Sequence, residues 1–79
     1  MELKDLRMLF DSGVLTKATI TPNIMGNGYI VTVDAKNNKQ YIISGQRSKG
    51  KPRVFKSIDA AAKNANYIGF QVVTVSFNR

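Results

Sequence analysis

The one stretch of this sequence whose residue types and spacing suggest chemistry is RSKGKPRVFKS, residues 47–57. It holds Arg47, Lys49, Lys51, Arg53 and Lys56, five of the chain's twelve basic residues, and no acid. The spacings are two, two, two and three. In an extended backbone, residues two apart point to the same side about 6.6 Å from one another. Such a ladder can follow a phosphate backbone and displace its counterions. Gly50 and Pro52 keep the segment out of helix, and Gly45 and Gly50 let it adapt. Ser57 then stands as the N-cap of a helix, whose first amides add an anion-binding site beside the cations. Contact with a polyanion is the expectation. The bland alternative is a solvated loop that keeps a small protein soluble, and a third reading is an acidic protein surface.

Other chemistries find little support. The chain has no cysteine and no histidine, so disulfides, thiolate sites and imidazole catalysis are out. The five acids Glu2, Asp5, Asp11, Asp34 and Asp59 are scattered, without the spacing of a metal site or a carboxylate pair. Ser48–Lys49 and Lys56–Ser57 are sequence neighbours, which is not the geometry of an activated nucleophile. GNG at 26–28 precedes a strand and marks a hairpin turn, not a phosphate cradle. The expectation is a protein that is not an enzyme, with no catalytic residue, metal or cofactor.

The elements that must position the basic segment read as follows. Leu3, Leu6, Leu9 and Phe10 make one apolar stripe of a short helix, stopped near Gly13. Thr16, Ala18 and Ile20 alternate with Lys17, Thr19 and Thr21 in a half-buried strand ended by Pro22. YIVTVDA forms a second strand, KNN a turn, and KQYIIS a third, giving an antiparallel meander. Val54 and Phe55 either extend an edge strand or cover the start of the next helix. Ile58, Ala61, Ala62, Ala65 and Ile68 share a helical face, with Asp59 suited to the N-terminal turn and Gly69 as the stop. FQVVTVSF, 70–77, closes the chain as a strand apolar on both faces, which suggests a central strand or one covered by a partner. The fold class is α+β: one small domain over 1–79, order α-β-β-β-α-β, an antiparallel sheet with two helices packed on one face.

Seventy-nine residues with net charge +7 and pI near 10 bound the rest. A chain of this size buries only about 60% of its unfolded surface, so a dimer would add core. No run approaches a membrane span, and MELKDLRMLF is not a signal peptide, so the expected compartment is the cytoplasm. Tyr29, Tyr41 and Phe55 stack on bases if they point to the open sheet face, and otherwise fill the core.

The meander followed by RVFKSIDAAAKNANYIGF resembles the three-stranded, one-helix DNA-reading domains of phage integrase arms and plant AP2 factors. The R-x-F-x-S-I-D-A-A string, Arg53–Ala61, is also similar to small accessory proteins of plasmids and phages. The resemblance spans about residues 28–69 and does not extend to the leading helix or the final strand. It implies reading of DNA by the strand face, through Tyr29, Thr32, Lys39 and Tyr41. The element order through residue 69 is similar to that of the double-stranded RNA-binding domain as well. There lysines cluster at the second helix, whereas here only Lys56 and Lys63 stand at or in it. DNA therefore ranks above RNA.

The leading expectation is a basic nucleic-acid-binding protein of a mobile element. It would grip phosphates with Arg47, Lys49, Lys51, Arg53, Lys56 and Ser57, aided by Lys39 and Tyr41. The rivals are a protein–protein module, such as an inhibitor of a host defence complex, and a structural homodimer paired through the 70–77 strand.

Overall fold

Two helices and a four-stranded sheet are seen in the computed structural model, which describes residues 2–23, 26–44 and 52–77. Helix α1, Leu3–Asp11, buries Leu6 completely and rests Leu3, Leu9 and Phe10 against the same core. Its chain stops at Ser12, and Gly13 takes the left-handed φ of 79° that reverses it. Strands β1, Leu15–Pro22, and β2, Tyr29–Ala35, pair antiparallel.

One expectation fails at the start of β1. Leu15 lies opposite Ala35 and Lys17 opposite Asp34, so Thr16 is an extra residue in a β-bulge. The bulge resets the alternation. Leu15, Ala18 and Ile20 point inward, while Thr16 is exposed and donates its hydroxyl to the Asp34 carbonyl at 3.2 Å.

The turn after β2 is a single 3₁₀ turn, Lys36–Asn38, in which Asn37 and Asn38 hold φ of 67° and 62°. Asparagine tolerates that region better than other non-glycine residues, because its short polar side chain bonds locally. Strand β3, Gln40–Ile42, returns antiparallel to β2, and Ile43 extends the ladder with its N–H on the Val31 carbonyl at 3.1 Å.

Helix α2, Ile58–Ile68, forms where capping and spacing both place it. The Ser57 hydroxyl accepts the Ala60 N–H at 3.1 Å, Asp59 sits in the first turn, and Ala61, Ala65 and Ile68 are buried. Ser57→Ala removes that acceptor and is expected to cost about 1 kcal/mol, read as a lower urea midpoint at unchanged slope.

Strand β4, Thr74–Val75, differs most from expectation. It is two residues long instead of spanning 70–77, and it lies at an edge, not in the centre. It also runs parallel to β1, with Thr19 opposite Thr74 and Ile20 opposite Val75, so the sheet is mixed and not antiparallel. The strand order is β3-β2-β1-β4. The cause is α2. Eleven residues of helix span about 16 Å, roughly the length of five strand residues. That carries the chain back along the sheet before β4 begins. β4 therefore starts at the same end as β1 and must run with it.

The core joins Leu6 of α1 and Ala61, Ala65 and Ile68 of α2 to the inward residues of the strands. Both helices thus pack on one face, as expected.

Candidate nucleic-acid interface

The segment leading into α2 is stitched onto the β3 side of the sheet. Ser44 and Pro52 form an antiparallel bridge, and the Arg53 N–H donates to the Ile43 carbonyl at 2.9 Å. Phe55 pairs with Tyr29 through two backbone bonds of 2.8 Å, one in each direction. Its ring is buried, with 4% of its surface exposed. Residues 52–55 therefore act as a strap that Phe55 anchors, held by two isolated bridges and forming no strand of the sheet. Gly28, at φ 99°, lies so close to this strap that a Cβ there would meet the Val54 side chain and the Phe55 carbonyl.

The strap presents its cations outward. Arg53 is exposed, with its guanidinium carbon 5.2 Å from the centre of the Phe55 ring. That is a cation–π distance, and it restrains the side chain without neutralising it. Lys56 and Ser57 follow, both exposed, although the Ser57 hydroxyl is already engaged by the Ala60 amide. Arg47, Lys49 and Lys51 lie outside the described residues. The bridged pair Ser44 and Pro52 brings the two ends of that stretch side by side at the sheet edge.

Lys39 is exposed just before β3, and its carbonyl accepts the Ala35 N–H at 2.8 Å. Tyr41 is placed differently from the expectation. It lies opposite Val33, whose side chain is fully buried, and cross-strand partners share a face. Tyr41 therefore points to the helix side and packs against the core, as Tyr29 does. Neither ring stands on the open face, so neither serves there as a base-stacking platform. Thr32 does lie on that face, in a row with Ile42, Thr19 and Thr74. The neighbouring row is Gln40, Asp34 and Lys17, in which the Gln40 amide donates to Asp34 Oδ1 at 2.9 Å. The open face thus mixes three threonines with Ile42, Gln40, Asp34 and Lys17.

One contribution is missed when attention stays on residues 47–57. Between Asp34 and Asp59 the chain has no acid, and the same window adds Lys36 and Lys39 to the five cations of the basic segment. All seven belong to β3 or to the connections on either side of it. The signal was present as an acid-free window longer than the ladder itself.

Elsewhere, a depression of about 380 Å³ runs between α2 and the stretch before β4, with Asp59, Lys63, Asn66 and Gln71 among its lining. Asn66 spends its amide on the Phe70 carbonyl at 3.2 Å. On the helix layer, the Arg7 guanidinium carbon sits 4.9 Å from the Tyr67 ring centre. Among the described residues no three metal-ligating side chains converge, and no helix is long and apolar enough to cross a membrane. Comparison of the chain with protein-family models, curated proteins and solved structures finds no match in any of the three.

Proposed function

We propose that this chain is a small cytoplasmic nucleic-acid-binding protein, with DNA favoured over RNA, that grips phosphates along the β3 edge of its sheet. The observation that carries this reading is the seven-cation, acid-free window between Asp34 and Asp59, whose described members Lys36, Lys39, Arg53 and Lys56 are exposed before and after β3. Cations concentrated along one edge make a far stronger field there than the same charges spread over the surface. Arg53 and Lys56 lead into the N-terminal turn of α2. Arg47, Lys49 and Lys51 extend the ladder in the sequence, and Lys39 adds a cation at the other end of β3. Tyr41 contributes by packing under the edge instead of stacking on a base. Sequence reading, where it occurs, falls to the threonine and amide side chains of the open face, which are of the kind that hydrogen-bond base edges.

The test is a titration with labelled duplex DNA, single-stranded DNA and duplex RNA at two salt concentrations. The reading expects duplex DNA to bind best and all binding to weaken steeply with salt. Equal, salt-insensitive or absent binding of all three would remove it.

A further inference from the structure

We propose that Asn27 and Gly28 form a self-modifying site, which closes into a cyclic imide, releases ammonia and opens to isoaspartate or aspartate, slackening the Phe55 strap. Asparagine amides are thermally labile, and access to the next backbone nitrogen governs how fast they react. A side chain on that next residue shields the nitrogen, and glycine has none. Asn27 and Gly28 are the sole asparagine–glycine pair in the sequence. Asn27 is exposed, in the bend that precedes β2, so water and hydroxide reach it.

The strap itself holds the labile pair in the chain. Gly28 takes φ 99°, and a Cβ on it would meet the Val54 side chain and the Phe55 carbonyl. Only glycine fits without moving the strap, so the close approach imposes an unshielded nitrogen after Asn27. The carbonyls of Asn27 and Gly28 accept from the Asn23 side-chain amide at 3.4 Å and its backbone N–H at 2.9 Å. Ring closure uses neither of those oxygens. Asn64 and Asn66 make the contrast: they lie in α2, each followed by a residue with a side chain, and their amides donate to the Ala60 and Phe70 carbonyls.

The chemistry needs only water. Hydroxide takes the Gly28 N–H proton, the nitrogen attacks Asn27 Cγ, the Cγ–Nδ2 bond breaks, and the leaving nitrogen takes up a proton to depart as ammonia. Water then opens the five-membered imide. Breaking the bond from Gly28 nitrogen to Cγ gives aspartate, and breaking its bond to the Asn27 main-chain carbon gives isoaspartate. Both products add one negative charge. Isoaspartate also routes the backbone through Cβ and Cγ, which lengthens it by one carbon next to Gly28. Tyr29 follows, and it exchanges two backbone bonds of 2.8 Å with Phe55. The extra carbon displaces Gly28 against the strap, and that pair of bonds gives way. Resting on the nucleic-acid reading above, a further consequence is that the grip of Arg53 and Lys56 weakens as the chain ages.

The test is to warm the purified chain at mildly alkaline and mildly acidic pH, then map its peptides and label isoaspartate with an isoaspartate-specific methyltransferase. Conversion should concentrate at position 27, speed up in proportion to hydroxide, and vanish in Asn27→Gln, whose longer side chain closes a less favourable ring. In the isoaspartate fraction the Tyr29 and Phe55 amides should exchange hydrogen at least about tenfold faster. Aged Asn27→Gln and freshly purified Asn27→Asp should keep the original exchange rates. A chain that stays intact at 27, or is modified equally at its other asparagines, overturns the proposal. So does an isoaspartate chain with unchanged exchange at both amides, and so does full slackening in fresh Asn27→Asp, which would assign the effect to charge. Weaker duplex-DNA binding by aged wild type than by aged Asn27→Gln supports the further consequence. A fresh chain that binds no nucleic acid removes the reading above and leaves the modification standing on mass and exchange.

Discussion

Replacing Arg47, Lys49, Lys51 and Arg53 together by alanine should lower affinity for duplex DNA at low salt by at least about 100-fold and leave the fold intact. Five cations on phosphates give log K a slope near −4 against log salt. Wild-type binding should then weaken on the order of 250-fold between about 50 and 200 mM salt. In the variant the slope should flatten toward about −1, since Lys56 alone of the ladder remains. The fold should survive because the strap is held by its backbone and by Phe55. The Arg53 N–H keeps its bond to Ile43, and Phe55 keeps both of its bonds to Tyr29. Among the described residues the side-chain loss on the folding side is one exposed cation–π contact, that of Arg53, about 0.5–1 kcal/mol. Fluorescence anisotropy at several salt concentrations reads the slope, and circular dichroism reads the fold. A variant that binds as tightly as the wild type places the contact elsewhere.

Gly69→Ala should be strongly destabilising although the residue takes no part in binding. Gly69 closes α2 with φ 136° and ψ −6°, a conformation that L side chains rarely adopt. Holding alanine there costs on the order of 1–3 kcal/mol. The new Cβ would also land on the ring of Phe10, whose centre is 4.9 Å from that of Phe70 in an edge-on pair. Phe10 would have to swing off the junction between α1, α2 and the chain leading to β4. Together these should remove about 2–4 kcal/mol, a large part of the stability of so small a domain. At roughly 4–8 °C per kcal/mol for this size, Tm should fall by about 8–30 °C. A thermal melt within 2 °C of the wild type would show that Phe10 has room to move at no cost, contrary to its packing.

Helix α2 was legible because every local signal agreed. Ser57 caps it, Ala61, Ala65 and Ile68 fall on one side, and Gly69 ends it. The meander was legible for a similar reason, as the turn residues around Gly28 and Asn37–Asn38 stand between β-branched runs. What was not legible depended on a partner strand. Nothing within LTKATITP marks Thr16 as an extra residue, because a bulge exists only against Ala35 and Asp34 on the neighbouring strand. The face of Tyr41 was undecided for the same reason. QYII accepts either alternation, and only the register against Val33 sends the ring inward. The direction of β4 was set further away still, by which end of the sheet α2 hands the chain to.

The candidate site divides in the same way. Its charges were plain in the sequence, down to the missing acids. The attachment of Arg53 and Lys56 beside β3 was not, because it needs Phe55 to reach across to Tyr29 and Arg53 to reach Ile43. Lys36 and Lys39 precede β3, while Arg53 and Lys56 follow it. Only the pairing of β3 with β2 makes them belong to the same side of the molecule.

The parallel strand at the end of the chain also bears on synthesis. β1 gains β2 beside it as soon as the hairpin has left the ribosome, but its other flank waits for Thr74 and Val75. Until those two residues emerge, that flank carries bare amides and carbonyls beside an apolar surface. A nascent chain in that condition is open to neighbours on the same message, and to whichever chaperone reaches it first.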